Sequence, residues 1–224
     1  HRQITNDLAD DFQPRFAEND SKIIFSSNRL SDSLSMENSS TNRALTTDLF
    51  IYDLKGGSDL LMRLNDGKYH NKSNPLETGK NTFIHLNDQS GVINRYISQF
   101  DSTISYIDTT VHYRYYAKTT PLTRYTRNVI EQDFNKGTGS VAEIMYNNGR
   151  YNLYRNVFDE KDIVLEKPEQ TPAQKRRLKV LAAKDSLRSI QKEIIPIQDV
   201  VNSTIITDKD TVTLGDNMID INKY

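Results

Sequence analysis

The chain has 224 residues, 29 basic and 30 acidic, for a formal net charge of −1. That balance removes any global pull toward nucleic acid or a membrane surface, and the absence of cysteine excludes disulfides and thiolate metal sites. An apolar fraction of 36% with mean hydropathy −0.68 is low for a chain packed throughout, so long polar loops or an unpacked tail are expected.

No apolar run approaches the roughly 20 residues that span a bilayer as a helix. The chain opens on His1, without methionine or a signal peptide, and is expected to be a mature form or a piece of something longer.

Ile4-Thr5-Asn6-Asp7 reads as a strand end entering a turn, and Gln13-Pro14 puts a proline at a strand entrance, where its missing N–H costs least. Ile23, Ile24 and Phe25 form a short apolar run between the turn-formers Glu18-Asn19-Asp20 and Ser26-Ser27-Asn28. β-Branched content there favours a buried strand. Leu30 to Thr47, rich in Ser, Asn and Thr, is expected to be a long exposed loop. Leu49 to Leu54, followed by Gly56-Gly57, is the next strand.

The pattern then recurs. Leu61 to Asp66 opens a second copy, and Asn6-Asp7 against Asn65-Asp66 sets a period of 59 residues. Pro75 takes the place of Pro14, Thr82 to Leu86 that of the apolar strand, and Val92 to Ile97 that of Leu49 to Leu54, with Gly91 in a tight hairpin before it. Ile104 to Asp108 and Val111 to Tyr116 form a hairpin that closes the second copy. Pro121-Leu122-Thr123-Arg124-Tyr125 resumes the opening of a third. In that copy Val141 to Tyr146 and Tyr151 to Val157 flank Asn148-Gly149, a pair suited to positive φ and a two-residue hairpin. The period exceeds the ~40 to 45 residues of a compact four-stranded repeat, and loop insertions account for the excess.

Thr5, Asp10, Pro14, Phe16, Asp20, Lys22, Ile24, Phe25, Ser27 and Arg29 together resemble the repeat of TolB-type β-propellers, in which each unit is one four-stranded blade. The resemblance implies an all-β fold, a partial β-propeller of about three recognisable repeats over residues 1–158. It also implies a non-catalytic scaffold of the Gram-negative cell envelope, periplasmic or outer-membrane-associated, acting through contacts with other proteins of an envelope or secretion assembly. The Asn-, Asp- and Lys-rich style resembles Bacteroidota envelope proteins. Three blades do not close a ring, so the remaining blades are expected from other parts of the same polypeptide. The alternative is the propeller portion of a prolyl-oligopeptidase-like serine peptidase whose catalytic domain is not in this chain; a carbohydrate- or ligand-binding propeller is a third reading.

Beyond Phe158 the composition changes. Residues 159–170 read as a charged linker ending Lys167-Pro168-Glu169, and residues 171–224 as a docking extension of a helix and a small hairpin. Thr171-Pro172 supplies a cap and a first-turn proline, and the helix is expected to stop at Pro196. Leu178, Leu181, Leu187, Ile190 and Ile194 lie near one face, with basic residues elsewhere. Ser203 to Thr207 and Asp210 to Leu214 form the hairpin, which needs a partner to be stable.

Residues that carry chemistry are sparse. His1, His70, His85 and His112 do not share ligand spacing, and each reads as a surface or strand residue. Gly137-Thr138-Gly139 begins like a dinucleotide fingerprint, but Ala142 stands at its last glycine and no helix follows, so it is a turn. Gly67-Lys68 lacks the flanking residues of a phosphate loop. Asp208 and Asp210 mimic a calcium loop without its glycine, Thr213 standing there, or its bidentate acid, Ile219. Asp10, Asp11 and Asp20 are assigned to turn capping, and Tyr113, Tyr115 and Tyr116 around Arg114 to strand packing rather than a nucleic-acid platform. No Gly-x-Ser-x-Gly elbow is present. The expectation is therefore no catalytic, cofactor or metal residue, no bound nucleic acid, and only indirect contact with a membrane.

Overall fold

The computed structural model describes residues 1–34, 43–64, 68–107, 109, 111–158 and 166–203, with side chains in all of these but 102–107, 111–115 and 188–203. The described residues are mostly strand, in three antiparallel sheets with one helix. The chain divides into two compact units, His1–Leu178 and Lys179–Tyr224. All the described strands lie in the first.

The first sheet is β1 (Asp11–Ala17), β2 (Lys22–Ser27), β3 (Asp48–Asp53) and β4 (Met62–Leu64), paired in that order. The second is β5 (Lys72–Gly79), β6 (Thr82–Asn87), β7 (Asn94–Ile107) and β8 (Val111–Pro121), again in order. The third has three strands, β9 (Val129–Asn135), β10 (Ser140–Asn147) and β11 (Arg150–Val157). Equivalent rows run across them: Asp11 pairs with Ser27 and Ser27 with Asp48, Lys72 with Asn87 and Asn87 with Asn94, Val129 with Met145 and Met145 with Asn152.

Local sequence explains these elements. Glu18, Asn19 and Asp20 all carry left-handed φ, 49°, 53° and 62°, and form the β1–β2 turn; short polar side chains tolerate that region best. Asn148 and Gly149, with φ of 50° and 79°, make the β10–β11 hairpin as expected. Pro14 does not stand at a strand entrance. It lies inside β1, next to Gln13 at φ 53°, where the register shifts between Phe12 and Arg15. Pro75 repeats this inside β5, with Asn74 at φ 50° and a shift between Ser73 and Leu76. A bulge leaves one residue outside the ladder, so a proline there costs no ladder bond.

The expected strand end at Ile4 to Asp7 is absent; residues 1–10 contain no strand. Ile104 to Ile107 is the far end of β7 rather than a separate strand, and β8 runs back along it to Pro121. Pro121-Leu122-Thr123 therefore ends the second sheet's last strand, where Leu122 N–H donates to the Arg95 carbonyl at 2.9 Å.

Successive sheets meet in the same way. Lys72 N–H donates to the Thr47 carbonyl at 3.0 Å, while Thr47 N–H donates to Asn71 Oδ1 at 3.2 Å. One junction later Val129 N–H donates to the Ile93 carbonyl at 3.0 Å and Ile93 N–H to Asn128 Oδ1 at 2.8 Å. Apolar clusters fill the space between. Ile24, Leu49, Ile51 and Leu64 meet Phe83 and Phe100 at the first junction, and Leu76, Ile84 and Ile97 meet Val141 at the second. Each such buried side chain contributes about 1.5–3 kcal/mol.

Helix α1 spans Pro172–Ser203, so Pro196 does not end it. A proline removes one N–H donor and crowds the carbonyl four residues earlier, and here the helix runs on past it. Ser203, expected to begin a hairpin, is the last helical residue. The rest of that hairpin, the core of the linker at 159–165, the centre of the Leu30–Thr47 loop and the Asp208–Ile219 stretch lie outside the described residues.

Candidate functional site

Two buried arginines organise the polar interior. Arg29, 3% exposed, donates from Nη1 to Asp7 at 3.0 Å, from Nη2 to both oxygens of Asp11 at 2.7 and 2.9 Å, and from Nε to Ser27 Oγ at 3.1 Å. Its guanidinium stands 5.4 and 5.6 Å from the ring centres of Phe25 and Phe50, within cation–π range. Asp11 is therefore the counter-charge of a buried cation and not a turn cap. Asp10 bonds Asn28 and Arg43, and Asp20 does sit in the left-handed turn.

Arg95, on β7, reaches the third sheet. Its Nε donates to Gln132 Oε1 at 2.8 Å and its Nη2 to Glu143. Glu143, 1% exposed, also accepts from Tyr125 Oη and Asn156 Nδ2, both at 2.9 Å. Gln132 passes the network on by donating to the Asn74 carbonyl at 3.0 Å. Burial, and then the adjacent Glu143 charge, push the Tyr125 phenol up to about 12. Three donors, one of them a guanidinium, thus hold the Glu143 carboxylate in place.

Beside this network a groove of about 440 Å³ is lined by Arg15, Glu131, Asp133, Gln132, Glu143 and Leu153, among others. Glu131 and Asp133 make its wall acidic, which favours a cationic group in general. It contains neither a nucleophile–base pair nor a histidine. Among the described residues no three His, Asp or Glu side chains are placed to hold a metal ion.

The structure scatters the residues weighed from the sequence. His85 is fully buried in β6, with Nε2 2.9 Å from Ser98 Oγ, which is 2.7 Å from Thr119 Oγ1. His70 is buried ahead of β5, with Nδ1 3.0 Å from the Lys68 carbonyl, and His1 is exposed. Gly137-Thr138-Gly139 forms the β9–β10 turn. Tyr113 and Tyr115 lie on β8, and Tyr116 beside them is 46% exposed with its hydroxyl 3.3 Å from Asp101.

The buried role of Arg29 had a signal in the sequence, two aspartates and two phenylalanines spaced for adjacent strands, but only pairing makes them neighbours. Beyond Gln99, which pairs with Thr82, β7 has no partner in β6. Phe100 and Ala117 still pack on the first junction's apolar cluster, and Phe100 N–H donates to the Asn81 carbonyl at 2.8 Å. From Asp101 on, β7 is paired with β8 as a two-stranded arm through Ile107 and Val111.

The start of α1 is fastened to the second sheet. Thr171 N–H donates to the Ser90 carbonyl at 2.8 Å, Gln174 N–H donates to Thr171 Oγ1 at 3.2 Å as an N-cap bond, and Arg177 pairs with Asp88 at 3.1 Å. Leu187, expected on the apolar face, is 62% exposed. No described helix is long and apolar enough to cross a membrane. No protein-family model matches this chain, and no curated protein does.

Proposed function

We propose that this chain is a non-catalytic protein-interaction scaffold of the bacterial cell envelope, in the periplasm or at the outer membrane, built from TolB-like propeller blades. The repeated rows and repeated junctions support the blade reading, because one structural unit used three times in succession is how propellers are assembled. The envelope setting comes from the resemblance of residues Thr5 to Arg29, and fold analogy alone does not fix a role.

The observation that carries the interaction role is the β7–β8 arm. A lone two-stranded ribbon is marginal in water, yet this one extends past the sheet that supports it. It brings Tyr113, Arg114, Tyr115 and Tyr116 together on one strand, and Tyr and Arg are enriched at the centres of protein interfaces. A partner protein laid along the arm is the occupant this reading assigns to it, with the 46% exposed Tyr116 within its reach.

The test is a photo-cross-linking residue at Tyr116 in cells of the native organism. Adducts with a defined protein, recovered in the envelope fraction and lost when residues 102–115 are replaced by an Asn-Gly turn, support the reading. Adducts confined to the cytosol would sink the envelope assignment, and adducts insensitive to the arm would sink its docking role.

A further inference from the structure

Among the described residues the third sheet has three strands where the other two have four. In the first sheet the fourth position belongs to β4, whose Leu64 faces Leu49 of β3 across the pair; both are buried, at 1% and 0% exposed. The rows through Asp48 and Asn152 make Leu153 the equivalent of Leu49. Leu153 is 74% exposed, and Tyr151 and Val157 on the same strand are 71% and 69% exposed. β11 is an eight-residue edge without proline or bulge, its charges being Arg150 and Arg155.

The opposite end of the chain has the complementary defect. Gln3-Ile4-Thr5 precede Asn6-Asp7 as Met62-Arg63-Leu64, which are β4, precede Asn65-Asp66. This segment therefore carries the sequence of a fourth strand, but it belongs to no sheet. Among the described residues its hydrogen bonds are local, from Gln3 Nε2 to the Thr5 carbonyl and to Asn6 Oδ1. Ile4 packs against the cluster of Phe25, Phe50, Tyr52 and Leu61, and Asp7 is tied to Arg29. Those contacts hold the segment on the first sheet of its own copy.

We infer that Gln3–Thr5 of a second copy of this chain adds to β11 as its fourth strand. The β3–β4 register sets the contact: Leu153 opposite Thr5, Tyr154 opposite Ile4 and Arg155 opposite Gln3 of the other copy. Strand addition supplies backbone hydrogen bonds to the bare edge, while side-chain alternation sets the register. Made reciprocally, the contact closes a dimer, because each copy offers one edge and one strand. The inference rests on the repeat equivalence and not on the envelope role, so either can fail alone.

The cysteine-free chain suits a direct test. Gln3→Cys protein is mixed with Arg155→Cys protein and treated with a short bis-maleimide, a linker that tolerates a one-residue slip. A covalent dimer is expected, in clear excess over the control mixture of Gln3→Cys with Ile130→Cys, which lies on β9. In sedimentation equilibrium the unmodified chain dimerises with rising concentration, and Leu153→Asp weakens the dimer by roughly tenfold or more while the melting curve is kept. Cross-linking no greater than the control, or a chain that stays monomeric into the millimolar range, overturns the inference. Either result leaves β11 to a sheet from elsewhere in the polypeptide or to another protein.

Discussion

The first and third sheets are the same unit in two environments. Leu49 and Leu153 stand at equivalent positions of equivalent strands, yet one is fully buried and the other 74% exposed. The difference comes from the neighbours: Leu49 has β4 beside it and the second sheet against it, and Leu153 has neither among the described residues. Burial in a repeat protein is thus a property of the junction as much as of the unit. The polar residues follow the same logic. At one position pair the first sheet places Asp10 against Asn28 and the second places Asn71 against Asp88, with the same bonds and the carboxylate exchanged. In each case the carboxylate is on the side where an arginine arrives, Arg43 or Arg177.

The largest expected effect comes from breaking the second junction at its charge. Glu143→Leu leaves Arg95 buried without its carboxylate, and removing one partner of a buried pair costs about 3–5 kcal/mol. Urea unfolding followed by circular dichroism measures it. A loss below about 1 kcal/mol would mean that water reaches Arg95, and the junction would be looser than the first.

Next in size is the direct contrast of the two leucines. Leu49→Ala is expected to destabilise by about 2–5 kcal/mol, the range for emptying a packed site, and Leu153→Ala in the monomer by no more than about 0.5 kcal/mol. Equal losses in the two variants would overturn the claim that exposure at β11 reflects a missing neighbour.

The central strands were legible because their signal is local. Ile23-Ile24-Phe25 and Leu49 to Asp53 are apolar runs that pairing merely confirms, and Asn148-Gly149 dictates its hairpin. β1 and β9 were not, since Phe12-Gln13-Pro14-Arg15 interrupts any alternation and Gln132 looks like a surface residue until Arg95 and the Asn74 carbonyl bury it. The same holds for Arg29, which follows a turn-rich stretch and reads as part of it. Its role depends on Asp7 and Asp11, brought close by the β1–β2 pairing. Pro196 misled because a proline's cost applies to one bond, whereas a helix end depends on the sum over its last turns. The polar clusters of the candidate site come from the strand register, which no local run of the sequence carries.

A smaller effect is expected where the helix is fastened. Gly91 has φ 86°, and a Cβ there would stand 2.3 Å from Thr171 Oγ1 and 2.8 Å from Gln174 Cβ. Gly91→Ala therefore strains the β6–β7 turn and pushes out the helix start, at about 1–3 kcal/mol. Hydrogen exchange separates this from a general loss: amides of Thr171 and Gln174 are expected to exchange faster while those of β2 and β3 hold. Uniform acceleration would count against a local latch.

The finest probe of the second junction is the Tyr125 phenol, which among the described residues has no counterpart bonded to the Arg29 cluster. Burial and the Glu143 charge raise it from 10.0 to about 12 in the folded chain, so between those values the folded state holds a proton that the unfolded state has released. Stability from this group is then complete below pH 10 and declines as pH rises toward 12. Tyrosinate absorbance is expected to show a late-titrating phenol that is lost in Tyr125→Phe and moved to lower pH in Glu143→Gln, which removes the neighbouring charge but keeps an acceptor. The Tyr116 phenol, also raised by Asp101, stays in both variants. If Glu143→Gln leaves that titration in place, burial alone sets it, and the carboxylate is not the electrostatic centre that distinguishes this junction from the first.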